Sequence, residues 1–203
     1  VSKFILLKSF YRTKTYRHEN ENRSIKDFYY DDFIFIRNEG SSSNLYFNVN
    51  DQLLYILKKF YIDDFTSKRR CEREIDCYQK IGNKHPFISR YFGTFKHHEI
   101  QFIVIEYIEK MPNKTKLDFN EKIKIIIELL LSVEYVHLNG IIIRDLKWDN
   151  VIIDTNHDLH LIDFDLSKSI ENNDNDNNDD YEEIMTADVG SYLFAAPEQK
   201  ANN

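Results

Sequence analysis

The feature that most constrains the fold is a polar octapeptide, Ile143-Arg144-Asp145-Leu146-Lys147-Trp148-Asp149-Asn150, set between apolar segments. Before it, residues 120–138 carry Ile123, Ile126, Ile127, Leu130, Leu131, Val133 and Tyr135. That is a wide stripe at helical spacing, suited to a helix in the middle of a lobe, and Asn139-Gly140 stops it. After it come two short apolar segments, 151–153 and 159–162, around the turn Thr155-Asn156-His157-Asp158. A helix, a polar loop and a short hairpin therefore follow one another closely.

The first half reads differently. Residues 33–36, 45–49 and 53–60 have strand composition, with the turn Asn50-Asp51-Gln52 between the last two. Residues 67–80 are polar and helix-permissive, and His85-Pro86 closes that segment. Two more strands are expected at 92–95 and 101–105, around Lys96-His97-His98-Glu99. Residues 112–116 form a short polar linker. The pattern predicts an α+β chain with a β-rich first lobe at about 31–108 and a partial helical second lobe at about 109–203. Residues 1–30, basic and aromatic, form an N-terminal extension. Residues 171–183 are an Asn/Asp/Glu run, read as a flexible, solvated insert.

With 203 residues and 42% hydrophobic content, the chain can bury a sizeable core. Its net charge of −7 argues against a nucleic-acid surface, which needs a basic patch. Phe4-Ile5-Leu6-Leu7 is too short for a signal or a membrane span. Lys124, Glu128 and Glu134 interrupt the apolar run of residues 123–136, so it reads as a buried helix. Cys71 and Cys77 form no metal-ligand pattern, and a reduced, cytoplasmic setting is expected. The chain starts at Val1 rather than Met, which suggests a piece of a longer protein.

Together with Asp163-Phe164-Asp165 downstream and Lys58 upstream, the octapeptide resembles the eukaryotic protein kinase family of the Ser/Thr type. The resemblance covers about residues 33–198. It implies a two-lobed kinase-like fold, C-terminally incomplete, with ATP and Mg²⁺ between the lobes and a protein substrate carrying a Ser or Thr acceptor. It makes Asp145 the group that orients the acceptor hydroxyl and takes its proton. Lys147 would neutralise charge on the γ-phosphoryl, and Asn150 and Asp163 would hold Mg²⁺, which prefers hard oxygen ligands. Lys58 would grip the α- and β-phosphates. Its neighbour Lys59 is the alternative, and strand alternation lets only one face the cleft. Glu74 matches the helix glutamate that pairs with this lysine, with Glu72 as fallback. Leu45 and Ile56 would roof the nucleotide pocket and Ile152 would floor it. Glu106-Tyr107-Ile108 would be the hinge, with Ile105 as gatekeeper.

The same resemblance makes Gly190-Ser191 and Ala196-Pro197-Glu198 a Ser/Thr-type docking segment, in which Ser191 reaches toward Asp145 and Lys147. Arg144 and Lys168 would hold a phosphate placed on Thr186 or Tyr181, unless the acidic run pairs with them unmodified. The family's remaining helices follow Glu198, so these 203 residues alone are expected to be poorly stable or inactive.

Several positions depart from the family pattern. The phosphate-covering loop Asn38-Glu39-Gly40-Ser41-Ser42-Ser43 keeps only Gly40 of three glycines. Asp165 replaces the glycine after Asp-Phe, adding a carboxylate near the phosphates; Mg²⁺ is one partner that would reverse its cost. Ile143 and Trp148 replace His and Pro and are read as packing residues. With Ile56, bulkier than the family's alanine, the degraded loop and Asp165 support a rival reading: a pseudokinase scaffold with weak or no catalysis. A small-molecule kinase of the same fold is a more distant alternative.

Overall fold

The computed structural model describes residues 28–112 and 117–170. Strands β1 (Phe33–Asn38), β2 (Ser43–Asn48) and β3 (Leu54–Tyr61) are followed by helix α1 (Phe65–Ile81), β4 (Tyr91–His97) and β5 (Ile100–Glu106). The five strands form one antiparallel sheet in the order β1-β2-β3-β5-β4. Helix α2 (Phe119–Leu138) opens the second part. Three small elements of two and three residues precede the last strand: β6 (Ile141–Ile142), β7 (Val151–Ile153) and β8 (Leu159–Leu161). The last strand, β9 (Lys168–Ser169), pairs with β6, and β7 pairs with β8. This is the α+β architecture expected from the sequence, a β-rich lobe followed by part of a helical one.

The sheet has two apolar faces because strand side chains alternate. One face gathers aromatic rings: Phe33, Tyr46, Tyr55, Phe95 and Phe102, with Leu57 and Val104. Phe28 packs among them, 5.7 Å from both Phe33 and Tyr55, and Tyr30 stacks on His97 at 4.1 Å. The other face carries Phe60, Ile103 and Ile105 and meets Cys71, Cys77, Tyr78 and Ile81 of α1. The same cluster continues into the second lobe through Ile125, Val136, Ile141, Val151, Leu159, Leu161 and Phe164. Each fully buried aliphatic or Phe in it stabilises the fold by roughly 1.5–3 kcal/mol.

Local signals fix both helices. Asp64 caps α1 by accepting from the Ser67 amide at 2.6 Å. Gly82, at φ +59, ends it and donates to Tyr78 O at 2.9 Å. Helix α2 starts with a reciprocal capping box between Asp118 and Glu121. It stops at Asn139 and Gly140, where φ is +71 and a side chain would press on Ile170 O at 3.4 Å.

One expectation changes. The apolar stripe of α2 was expected to be buried, yet Ile123, Ile126, Ile127, Leu130 and Leu131 are exposed among the described residues. The buried face of α2 carries Ile125, Glu128, Ser132 and Val136 instead. The reason is what α2 has to pack against, the β7–β8 hairpin. There the Glu128 carboxylate accepts from Leu159 N at 2.8 Å, and Ser132 Oγ donates to Glu128 O at 2.8 Å. No described helix is long and apolar enough to cross a membrane.

Candidate active site

Between the sheet and the β7–β8 hairpin lies a cleft. The β1–β2 turn covers it: Glu39 and Gly40 both donate their amides to Ser43 O, at 2.9 and 3.1 Å. The cleft is lined by Gly40, Ile56, Lys58 and Glu74 on the sheet side, Ile105 to Ile108 along one edge, and Asn150, Ile152 and Asp163 opposite. Leu45 is not among these residues. It pairs with Ile56 across the β2–β3 ladder but is 1% exposed, so the roof position expected of it is closed off from the cleft. Glu39, Ser41, Ser42 and Ser43 of the expected phosphate-covering loop and Asp149 of the octapeptide also line the cleft, as do Ser89, Lys110 and Ile162, to which the sequence assigned no role there.

Lys58 is buried, whereas Lys59 is part-exposed, as one-residue alternation requires. The Lys58 Nζ lies 2.8 Å from Glu74 Oε2, 2.7 Å from Asp163 Oδ1 and 3.6 Å from Asp165 Oδ2. Burial alone would lower its pKa, but Glu74, Asp163 and Asp165 outweigh burial and hold it above the ordinary lysine value. Glu74 is 0% exposed, and burial pushes its carboxyl up to about 7 against the pull of Lys58. Glu72 is exposed, so it does not share this pocket. Burial also works against ionised Asp163, yet Lys58 brings its pKa below the usual carboxylate value. Asp163 adopts φ +67, a backbone conformation uncommon outside glycine and characteristic of functional sites. Phe164, fully buried, meets Tyr78 of α1 edge-on with ring centroids 5.2 Å apart.

The second cluster is built by the octapeptide. Lys147 Nζ donates to Asp145 Oδ2 at 2.5 Å, which raises the lysine pKa despite some burial. Asn150 Nδ2 donates to Asp145 O at 2.9 Å and Asp145 Oδ2 at 3.3 Å. A one-turn 3₁₀ helix, Trp148–Asn150, sets this geometry. It buries Asn150 and leaves Trp148 57% exposed, so Trp148 is not the packing residue that was expected. So short a turn has room for one inward side chain. Ile143 does pack against the core.

The donor set suits Mg²⁺. With Asn150 Nδ2 committed to Asp145, the amide oxygen is the atom left to face a cation, and Asp163 brings a carboxylate to the same cleft. Arg144 Nε donates to Leu166 O at 2.7 Å, and Lys168 pairs with Ile142 through β9. Both therefore border the segment that leaves Asp163. Thr186, Tyr181 and Ser191 lie outside the described residues.

Asp165 is the position the sequence could not resolve. Its carboxylate is ion-paired with Arg70 of α1. Burial raises its pKa and Asp163 adds to that, while Lys58 and Arg70 oppose it. Arg70 stands one helical turn before Glu74 on the same face, which by itself does not point to residue 165. What was missing was the fold that brings residue 165 to that face.

Residues 39–202 match the protein kinase domain family. Similar curated proteins include the probable serine/threonine-protein kinase KIN1 homolog of Enterocytozoon bieneusi, 34% identical over 120 residues, covering 56% of this chain and 19% of that protein. The hormonally up-regulated neu tumor-associated kinase homolog B of Xenopus laevis is 31% identical over 147 residues, covering 70% and 22%. The cAMP-dependent protein kinase type 3 of Saccharomyces cerevisiae is 36% identical over 92 residues, covering 42% and 23%. The aligned part thus spans about a fifth of the length of these relatives.

Proposed function

The chain belongs to the protein kinase family, and on that premise we propose that it transfers the γ-phosphoryl group of ATP to Ser or Thr hydroxyls of protein substrates. The observation that carries this reading is the pairing of two complete clusters across one cleft: Lys58 with Glu74 and Asp163, and Asp145 with Lys147 and Asn150.

In this reading Lys58, oriented by Glu74, holds the α- and β-phosphates. Asn150 and Asp163 would hold Mg²⁺, which would supply neutralisation of phosphate charge. The Asp145 carboxylate accepts the proton of the acceptor hydroxyl as that oxygen bonds to the γ-phosphorus and the bond to the β–γ bridging oxygen breaks. Lys147, beside Asp145, offers its ammonium to the transferring group. Positioning and charge neutralisation are what phosphoryl transfer chiefly requires, and these groups provide both. The adenine ring sits between Ile56 and Ile152 against residues 106–108. Ser191 docks the acceptor segment, and Arg144 with Lys168 holds a phosphate on Thr186. Both cysteines are free and buried, which accords with an intracellular setting.

The rival scaffold reading draws on Asn38 and Ser43 in place of glycines, the bulk of Ile56 and the added charge of Asp165. Transfer of labelled phosphate from Mg-ATP to a generic Ser/Thr acceptor separates the two. The assay uses the intact protein beside Asp145→Asn and Lys58→Met. Kinase activity predicts transfer by the unsubstituted protein and a loss of at least about 100-fold in each variant. No transfer from folded protein, across phosphorylation states, would overturn the proposal in favour of the scaffold.

A further inference from the structure

Helix α1 presents Arg70, Glu74 and Tyr78 at four-residue spacing, along one face. Each meets a different part of the segment 163–165. Arg70 holds Asp165, Glu74 shares Lys58 with Asp163, and Tyr78 covers Phe164. Lys58 therefore has three carboxylates within 4 Å, and Arg70 serves one of them. The Asp165 side chain is 10% exposed, so little water can screen it.

We infer that Arg70 is a positioning residue for nucleotide binding: by taking the nearer share of the Asp165 carboxylate it weakens that group's hold on Lys58, leaving the lysine more fully to Glu74 and the phosphates. The inference rests on the kinase reading for the role of Lys58. The ionic contact itself does not. Without Arg70, the remaining ion-pair partner of Asp165 among the described residues is Lys58, at 3.6 Å, and its charge then competes for that lysine with an incoming triphosphate. With Asp165 neutralised as well, the need for Arg70 disappears. The device is thus conditional: Arg70 matters because residue 165 is an aspartate.

The test is Arg70→Gln, Asp165→Asn and the double variant in the intact protein. Mg-ATP affinity is measured by calorimetry, KM and kcat by transfer, and unfolding midpoints by thermal melting. Arg70→Gln is expected to weaken Mg-ATP binding and raise KM for ATP about tenfold while kcat changes less than about threefold. Asp165→Asn in that background restores both within about twofold, and the unfolding midpoints show the same non-additivity. A merely structural Arg70 would lower stability without the second substitution restoring ATP affinity, and that result overturns the inference. So does an Arg70→Gln protein with unchanged affinity. Absence of transfer in the unsubstituted protein counts against the kinase reading alone, because binding and melting are read without turnover.

Discussion

Replacing Lys58 with Met gives a quantitative check on how the cleft carries its charge. In the folded protein Glu74 is fully buried and titrates at about 7, against about 4.3 for an unfolded glutamate. A folded value above the unfolded one means that its contribution to stability is fully present below about pH 4.3. It is lost progressively as pH rises to the folded value. In the unsubstituted protein that loss levels off near pH 7, because Glu74 then ionises beside Lys58. Lys58 is what pulls Glu74 downward, so in Lys58→Met the carboxyl stays protonated to higher pH. The variant therefore keeps losing about 1.4 kcal/mol per pH unit above 7. The stability gap between the two proteins should widen by about 2 kcal/mol from pH 7 to 8.5. Asp163 loses the same partner, and with it the charge that offsets its own burial, so it adds a contribution of its own to the gap. Urea unfolding at pH 6, 7 and 8.5 measures the gap. Adding Glu74→Gln to the variant should remove the part of the extra slope that Glu74 supplies, because that side chain can then take up no proton, while Asp163 and Asp165 remain. A gap that is the same at pH 6 and 8.5, or a slope that Glu74→Gln leaves unreduced, would refute the reasoning.

Two other substitutions test the loop over the cleft. Gly40 has no neighbour within 4 Å of where a Cβ would stand and no positive φ, so Gly40→Ala should change unfolding stability by less than about 0.5 kcal/mol and ATP affinity by less than about twofold. The Glu39 carboxylate meets Lys110 Nζ at 3.3 Å and is also bonded by Arg37, whose guanidinium reaches Tyr107 Oη at 3.1 Å. Lys110→Ala should speed release of a fluorescent ATP analogue no more than about threefold in stopped flow, because the lysine is half exposed and water screens the pair.

Much of this arrangement was legible in the sequence, for reasons visible at single residues. Alternation within residues 53–60 separated Lys58 from Lys59 because a strand with two packed faces lets a one-residue shift exchange them. The polar octapeptide could be placed because Gly140 ends a helix on one side and a hairpin starts on the other. Depth was not legible. Leu45 and Ile56 face each other across a ladder, yet only Ile56 reaches the cleft, and the difference lies in what packs around each. Nor was the exposed stripe of α2, since hydrophobic spacing tells that a face is apolar but not which described element covers it. The Arg70–Asp165 contact joins residues 95 apart, and one sequence holds no local sign of such a pair.

The departures at the loop and at Asp165 bear on each other. Glu39 and Gly40 have both committed their amides to Ser43 O, so the β1–β2 turn has fewer backbone donors to offer a phosphate than an open loop would. More of the burden of holding the triphosphate then falls on Lys58. A carboxylate competing for that lysine is costlier in such a site than in one whose loop holds the phosphates by itself. Counting formal charges, Lys58 and Arg70 face Glu74, Asp163 and Asp165, which leaves the cluster one negative charge in excess. Without Arg70 the excess would be two, in the place where a polyanion has to bind. The arginine on α1 and the aspartate after Phe164 form one ion pair, and the charge of each sets the effect of the other. ATP affinity should respond to their combined charge rather than to either residue alone.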